Sequence, residues 1–341
     1  MGKAGAARRL VTAAAVGGGG LSVVGGSLYA VLVAEALLAR RTIGHAVGDP
    51  PDASGWYGEG RAGTPVRVAW LGDSSAAGYG VHSVVDTPAA HLASGLADAC
   101  DRPVHLRSAA FVGAQTRDLA RQLDQLADLE PHVAVVLVGV NDITHRRRPP
   151  ESVRLLGAAV RRLRETGCEV VVGTCPDLGT IEPIAPPLRQ VARLVSRRLA
   201  AAQTIVTVEA GGRTVSLGSI LGPEFAAAPR LFFGPDRFHP SALGYSGLAG
   251  VLLPSVLAAM DVGPFEDLVP EPTRGEAVLP IEEAAVEAAR LPGTEIDGSG
   301  HPQAATRSAR HWVQLRRRRR HPEPAVEPPR AEEGRPADQE A

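Results

Sequence analysis

Between residues 65 and 260 the chain alternates short apolar runs with longer segments in which apolar residues recur every three or four positions. The runs at 66–71, 104–108, 132–138, 169–173 and 205–208 are predicted strands, being short, rich in Val, Ile and Leu, and bounded by Gly, Pro, Asp or Ser. The third, HVAVVLV, is apolar at nearly every position, as a strand covered on both faces should be. Helices are predicted between them, near 87–99, 116–126, 152–165 and 188–202. A closing helix is expected from Ser241 to about Ala258, with Pro240 at its first turn. Strands separated by helices imply an α/β fold: a three-layer α/β/α sandwich around a five-stranded parallel sheet.

The pattern changes on both sides of this block. Residues 10–33 carry no charge over 24 positions, after Lys3, Arg8 and Arg9 and before Glu35, Arg40 and Arg41. That length suffices to cross a bilayer as a helix. Three readings fit residues 1–41: a retained membrane anchor, a signal segment cleaved near Ala34-Glu35-Ala36, or a soluble N-terminal helix. The basic residues preceding the stretch outnumber those that follow it, which favours a main domain outside the cytoplasm, either tethered or, after cleavage, secreted. Residues 42–64, rich in Gly, Pro and Asp, read as a linker. Residues 65–262 form the predicted domain. In residues 263–341 Glu, Pro, Arg and Ala dominate, so this tail is expected to be mostly disordered, with a short helix at 281–291. Its five-arginine run at 316–320 is either a solvated tract or a contact for an anionic surface.

Composition narrows the function classes. Formal net charge is -1 in 341 residues, so no global field attracts nucleic acid. The three cysteines, Cys100, Cys168 and Cys175, have no regular spacing, which argues against a disulfide framework or a zinc site. Cys175 lies at the expected active edge and reads as a small buried residue.

Candidate chemistry sits where predicted strands end. Gly72-Asp73-Ser74 closes the first strand and puts a hydroxyl at the carboxyl edge of the sheet, where open α/β folds bind ligands. A serine needs a base, and His239 in Asp236-Arg237-Phe238-His239 is the candidate; Asp236 can orient its ring. The amides of Ser74 and Gly113 and the side chain of Asn141 are the natural oxyanion donors. Gly113 is suited by lacking a Cβ, which permits close backbone approach; alternatively it is an ordinary turn glycine, and Asn141 a turn cap. Asp73 and Asp142 read as carboxylates that fix loops.

Four blocks in this order resemble the GDSL/SGNH hydrolase superfamily: Gly72-Asp73-Ser74 with Gly78, then Gly113, then Gly139-Val140-Asn141-Asp142, and finally Asp236-Arg237-Phe238-His239. The resemblance covers about residues 65–260. It implies a flavodoxin-like sandwich and a serine esterase or lipase acting on acyl esters without metal or organic cofactor. The α/β-hydrolase signature Gly-x-Ser-x-Gly is absent around Ser74. Two alternatives remain: an O-deacetylase or acyltransferase on cell-envelope carbohydrate, and a non-catalytic membrane-tethered binding module. Arg146, Arg147 and Arg148 follow Asn141 closely and either form a solvated loop or favour an anionic substrate. The proline-rich loop 176–187 is expected to wall the cleft with Leu178, Ile181 and Ile184.

Overall fold

The computed structural model describes residues 29–39, 41–43, 48–262 and the backbone of 295–297. Most of the uncharged leader, the predicted helix at 281–291 and the arginine run at 316–320 lie outside the described residues. The first half comprises α1 (Tyr29–Ala39), β1 (Gly55–Tyr57), β2 (Val66–Gly72), α2 (Ser74–Ala77), α3 (Pro88–Cys100), β3 (Val104–Ser108), α4 (Leu119–Gln125), β4 (Val133–Leu137) and α5 (Val140–Thr144). There follow α6 (Pro149–Glu165), β5 (Glu169–Gly173), α7 (Leu188–Glu209), β6 (Arg213–Val215), α8 (Leu217–Ile220), α9 (Gly222–Ala227), α10 (Pro229–Phe232), α11 (Ala242–Ala259) and β7 (Glu295–Asp297).

The sheet order is β1-β3-β2-β4-β5-β6-β7. The five central strands are parallel, and β1 and β7 close the edges antiparallel. The period of two along each strand builds the layers. Val66, Val68 and Trp70 face one core with α3 and α11, whereas Ala69 and Leu71 face the other with α4 and α6. Helix α11 has a mean hydropathy of 1.6 and is long and apolar enough to cross a membrane, but half of it is buried, packed on α3 and the sheet. A helix apolar on all sides is a core element here. The chain leaves β2 towards β3, then crosses back to β4, so a crevice opens between the carboxyl ends of β2 and β4.

Four expectations are corrected. The run 205–208 is the last turn of α7 rather than a strand; Gln203, Thr204, Thr207 and Val208 continue its buried helical face. The fifth parallel strand is β6, three residues long and too short to register as an apolar run. Pro240 precedes the Ser241 cap of α11, whose hydroxyl accepts from the amide of Gly244, instead of occupying the first turn. Finally, the linker and tail each supply an edge strand, giving seven strands where five were expected. β1 carries the buried Ala53 just ahead of it into the core.

Candidate active site

The turn after β2 is determined by glycine sterics and one buried glutamine. Gly72 has φ +147°, and a Cβ there would lie 2.0 Å from the carbonyl oxygen of Leu137. Gln122, fully buried on α4, receives the Gly72 N–H at 2.9 Å and donates to its carbonyl at 2.8 Å. Asp73 then caps α2, its carboxylate accepting the Ser75 amide at 3.0 Å, and the Trp70 indole donates to Ala76 O at 2.8 Å. Ser74 is thereby held as the first residue of α2, with 9% of its surface exposed.

The loop before α11 brings the histidine to it. His239 Nε2 lies 2.9 Å from Ser74 Oγ, across 165 positions of sequence. Its Nδ1 lies 2.6 Å from Asp236 Oδ2. The other Asp236 oxygen accepts the amides of Phe238 and His239, both at 3.0 Å. Burial pushes the Asp236 carboxyl up, but the imidazole bond and the two amides outweigh it, and the net shift is downward. An ionised Asp236 accepts, so Nδ1 carries the proton and Nε2 faces the serine hydroxyl as acceptor. Tyr79 and Phe238 meet the imidazole edge-on at 4.9 and 5.0 Å. The arrangement can move a proton from Oγ to Nε2 while a fixed carboxylate stabilises the resulting cation.

The segments that carry Gly113 and Asn141 are tied to the Gly72 turn and to each other. Phe111 N–H donates to Gly72 O at 3.3 Å, and Asn141 Nδ2 donates to Ala114 O at 2.9 Å, leaving its second amide hydrogen for another acceptor. Nothing lies within 4 Å of where a Gly113 Cβ would sit, so crowding is not what selects glycine there; its φ of +84° is. Asp142 accepts both the amide and the hydroxyl of Thr116, at 3.1 and 2.8 Å, and the Ser152 hydroxyl at 2.7 Å. Asp73 and Asp142 are thus the loop-fixing carboxylates expected. Arg146, Arg147 and Arg148 are all exposed, and Arg147 Nε donates to Gln115 Oε1 at 2.7 Å.

An apolar cavity of about 100 Å³ opens beside Ser74. Its walls include Leu137 and Val140 from the β4 end, Leu178 and Ile181 from the proline-rich loop, and Leu221 and Phe225 from the α8–α9 segment. Ile184, expected in the lining, packs against the core instead. Cys175 is buried and donates its amide to Gln203 Oε1 at 2.7 Å; burial first, then nearby carboxylates, pushes its thiol far above the usual range. The three cysteines are unpaired. Among the described residues no group of His, Cys, Asp and Glu converges as a metal site. Gln122 and Gln203 escaped the sequence reading. For Gln122 the signal was a glutamine on the buried face of a predicted helix, beside Leu119 and Leu123; Gln203 lay one residue beyond the predicted 188–202 helix and had none.

The sequence model of the GDSL-like Lipase/Acylhydrolase family matches residues 70–246, from within β2 into the start of α11. The GDSL-like esterase Rv1075c of Mycobacterium tuberculosis is 40% identical over 254 residues, covering 71% of this chain and 80% of its own. Among solved structures, the psychrotrophic esterase EstA of Pseudoalteromonas sp. aligns with TM-score 0.45 at 17% identity, over 57% of this chain and 98% of its own. A lipase/acylhydrolase from Enterococcus faecalis aligns with TM-score 0.42 at 20% identity, over 58% of this chain and 98% of its own. The chain belongs to the GDSL-like lipase/acylhydrolase family and is a hydrolase acting on ester bonds.

Proposed function

We propose that Ser74 is the nucleophile, His239 the general base and acid, and Asp236 the group that orients and stabilises the imidazole. The observation that carries this is the continuous chain from Ser74 Oγ through both ring nitrogens of His239 to Asp236, with contacts of 2.9 and 2.6 Å. Attack of Oγ on an acyl carbonyl sends its proton to Nε2. Collapse of the tetrahedral intermediate returns that proton to the leaving alcohol, and a water repeats the cycle on the acyl-enzyme. The amides of Ser74 and Gly113 and the free Asn141 hydrogen receive the developing oxyanion, an interaction worth roughly 3 kcal/mol per donor.

The substrates are carboxylic esters with short to medium acyl chains. What supports this is the apolar cavity beside Ser74, whose volume suits roughly four carbon atoms by comparison with engineered cavities that hold benzene. A hydrocarbon-lined cavity also argues against acetylated carbohydrate as the main substrate, because an acetyl group leaves much of it unfilled. The leader, in the same reading, is a retained anchor that holds the domain on the outer face of a membrane. Labelling with a fluorophosphonate tests the nucleophile: wild type is expected to react, and Ser74→Ala to lose labelling and hydrolysis of p-nitrophenyl butyrate together. Retained labelling in that variant would move the nucleophile elsewhere.

A further inference from the structure

The linker expected between leader and domain does not act as a spacer, because the chain is docked upstream of it. The Glu35 carboxylate on α1 accepts the amide of Leu188, the first residue of α7, at 2.9 Å. Arg237, inside the loop that carries Asp236 and His239, donates to the carbonyl of Thr42 at 3.4 Å. Ala39 lies between these two points and is buried. Val33, which ends the uncharged apolar stretch 10–33, precedes Glu35 by two positions with only Ala34 between, about 3 Å of helical rise. Whatever holds the uncharged stretch therefore lies against the face that bears the 236–239 loop.

That face is apolar beyond what its fold needs. Leu37 and Leu38 on α1 are 55% and 59% exposed. Leu231, whose carbonyl accepts the Ser241 hydroxyl just beyond His239, is 61% exposed, and Leu243 is 49% exposed. Single exposed leucines are ordinary, but Leu231 and Leu243 stand on either side of the 236–239 loop along the chain, and Leu37 and Leu38 shortly precede Thr42, which Arg237 of that loop holds. Arg41 and Arg230, close to them along the chain, are exposed too.

We propose that this rim docks on the lipid bilayer that holds the uncharged stretch. Leu231 and Leu243 enter the headgroup region, Arg41 and Arg230 meet lipid phosphates, and acyl esters reach Ser74 from the membrane surface. The proposal rests on the reading of residues 10–33 as a retained anchor.

The test uses the full chain reconstituted in phosphatidylcholine–phosphatidylglycerol vesicles, in a Cys100→Ser background whose remaining cysteines are buried. Environment-sensitive dyes are attached at Leu231→Cys, Leu243→Cys and, as a control at the opposite edge of the sheet, Asp128→Cys. Headgroup-borne nitroxides are expected to quench the first two dyes and spare the third. Leu231→Glu combined with Leu243→Glu is expected to slow hydrolysis of a vesicle-embedded acyl ester about tenfold, with a water-soluble ester hydrolysed at the wild-type rate. Protein that pellets with vesicles but shows equal quenching at all three positions overturns the docking and leaves the anchor standing. Protein that stays in the supernatant overturns both. Turnover of the water-soluble ester reports separately on the chemistry at Ser74.

Discussion

Asp73 and Asp236 are both buried carboxyls near one histidine, and their environments drive them in opposite directions. Asp236 has an imidazole and two amides as donors, which hold it below the ordinary range despite burial. Its contribution to stability is present above the unfolded aspartate range and is lost as pH falls through the lower folded value. Asp73 is dominated by burial, which the Ser75 amide and the neighbouring imidazole only partly offset, so its carboxyl is raised to about 6. Between the ordinary value of 3.8 and about 6 the folded state holds this proton more tightly than the unfolded chain. Stability therefore falls as pH rises across that window, and the deficit persists above it. Asp73→Asn keeps an acceptor for the Ser75 amide and removes the buried charge. It is expected to be more stable than wild type by on the order of 2 kcal/mol near pH 8, and to lose the advantage near pH 4. Urea denaturation at the two pH values measures this; a constant difference between the two variants would refute it.

The elements stand on cross-ties at the carboxyl edge of the sheet more than on their own propensity. Four residues cannot hold α2 alone; the Asp73 cap, the Trp70 indole and the left-handed Gly78 at its end do so. Gln122 closes the Gly72 turn, and Gln203 joins Val138 O at 2.8 Å to the Cys175 amide, tying the ends of β4 and β5. Gln122→Leu takes the side-chain partner from the buried Gly72 N–H and leaves its carbonyl with only the longer bond from Phe111 N–H. It should cost roughly 2–4 kcal/mol in chemical denaturation and lower kcat for ester hydrolysis, since the turn it closes carries Ser74. Most elements were legible from residue pattern alone: β3 and β5 fall where the apolar runs predict, and α3 is displaced by one residue from its predicted span. The end of α7 was not, because Ile205, Val206 and Val208 read locally as a strand, whereas in the fold they continue a helix that packs on α6 and β6.

At the scale of the molecule, the cavity beside Ser74 exists only because the β4 and β5 ends, the 176–187 loop, the α8–α9 segment and the 236–240 loop close around one space. Phe225 packs within it against Phe232 and Phe233, at ring distances of 5.2 and 4.9 Å. Phe225→Leu should enlarge the cavity and raise the ratio of kcat/KM for hexanoate over butyrate esters. Leu221→Phe should fill it and shift the preference towards acetate, each by about tenfold. A p-nitrophenyl ester series read on both variants checks this, and an unmoved profile would mean that the acyl chain lies elsewhere.

The amino-acid sequence by itself determined the layer order, the parallel core of the sheet and the identity of the groups at its edge. Each of these follows from local periodicity, turn residues and the intrinsic chemistry of Ser, His, Asp and Asn. Tertiary structure alone decided that Ser74 and His239 touch, that Arg147 donates to Gln115, and that two glutamines hold the strand ends. It also decided that α1 docks beside the site without a spacer. These are contacts between residues tens to more than a hundred positions apart, and no local pattern encodes them: they arise where separate elements, each satisfied in itself, are pressed together by a shared core.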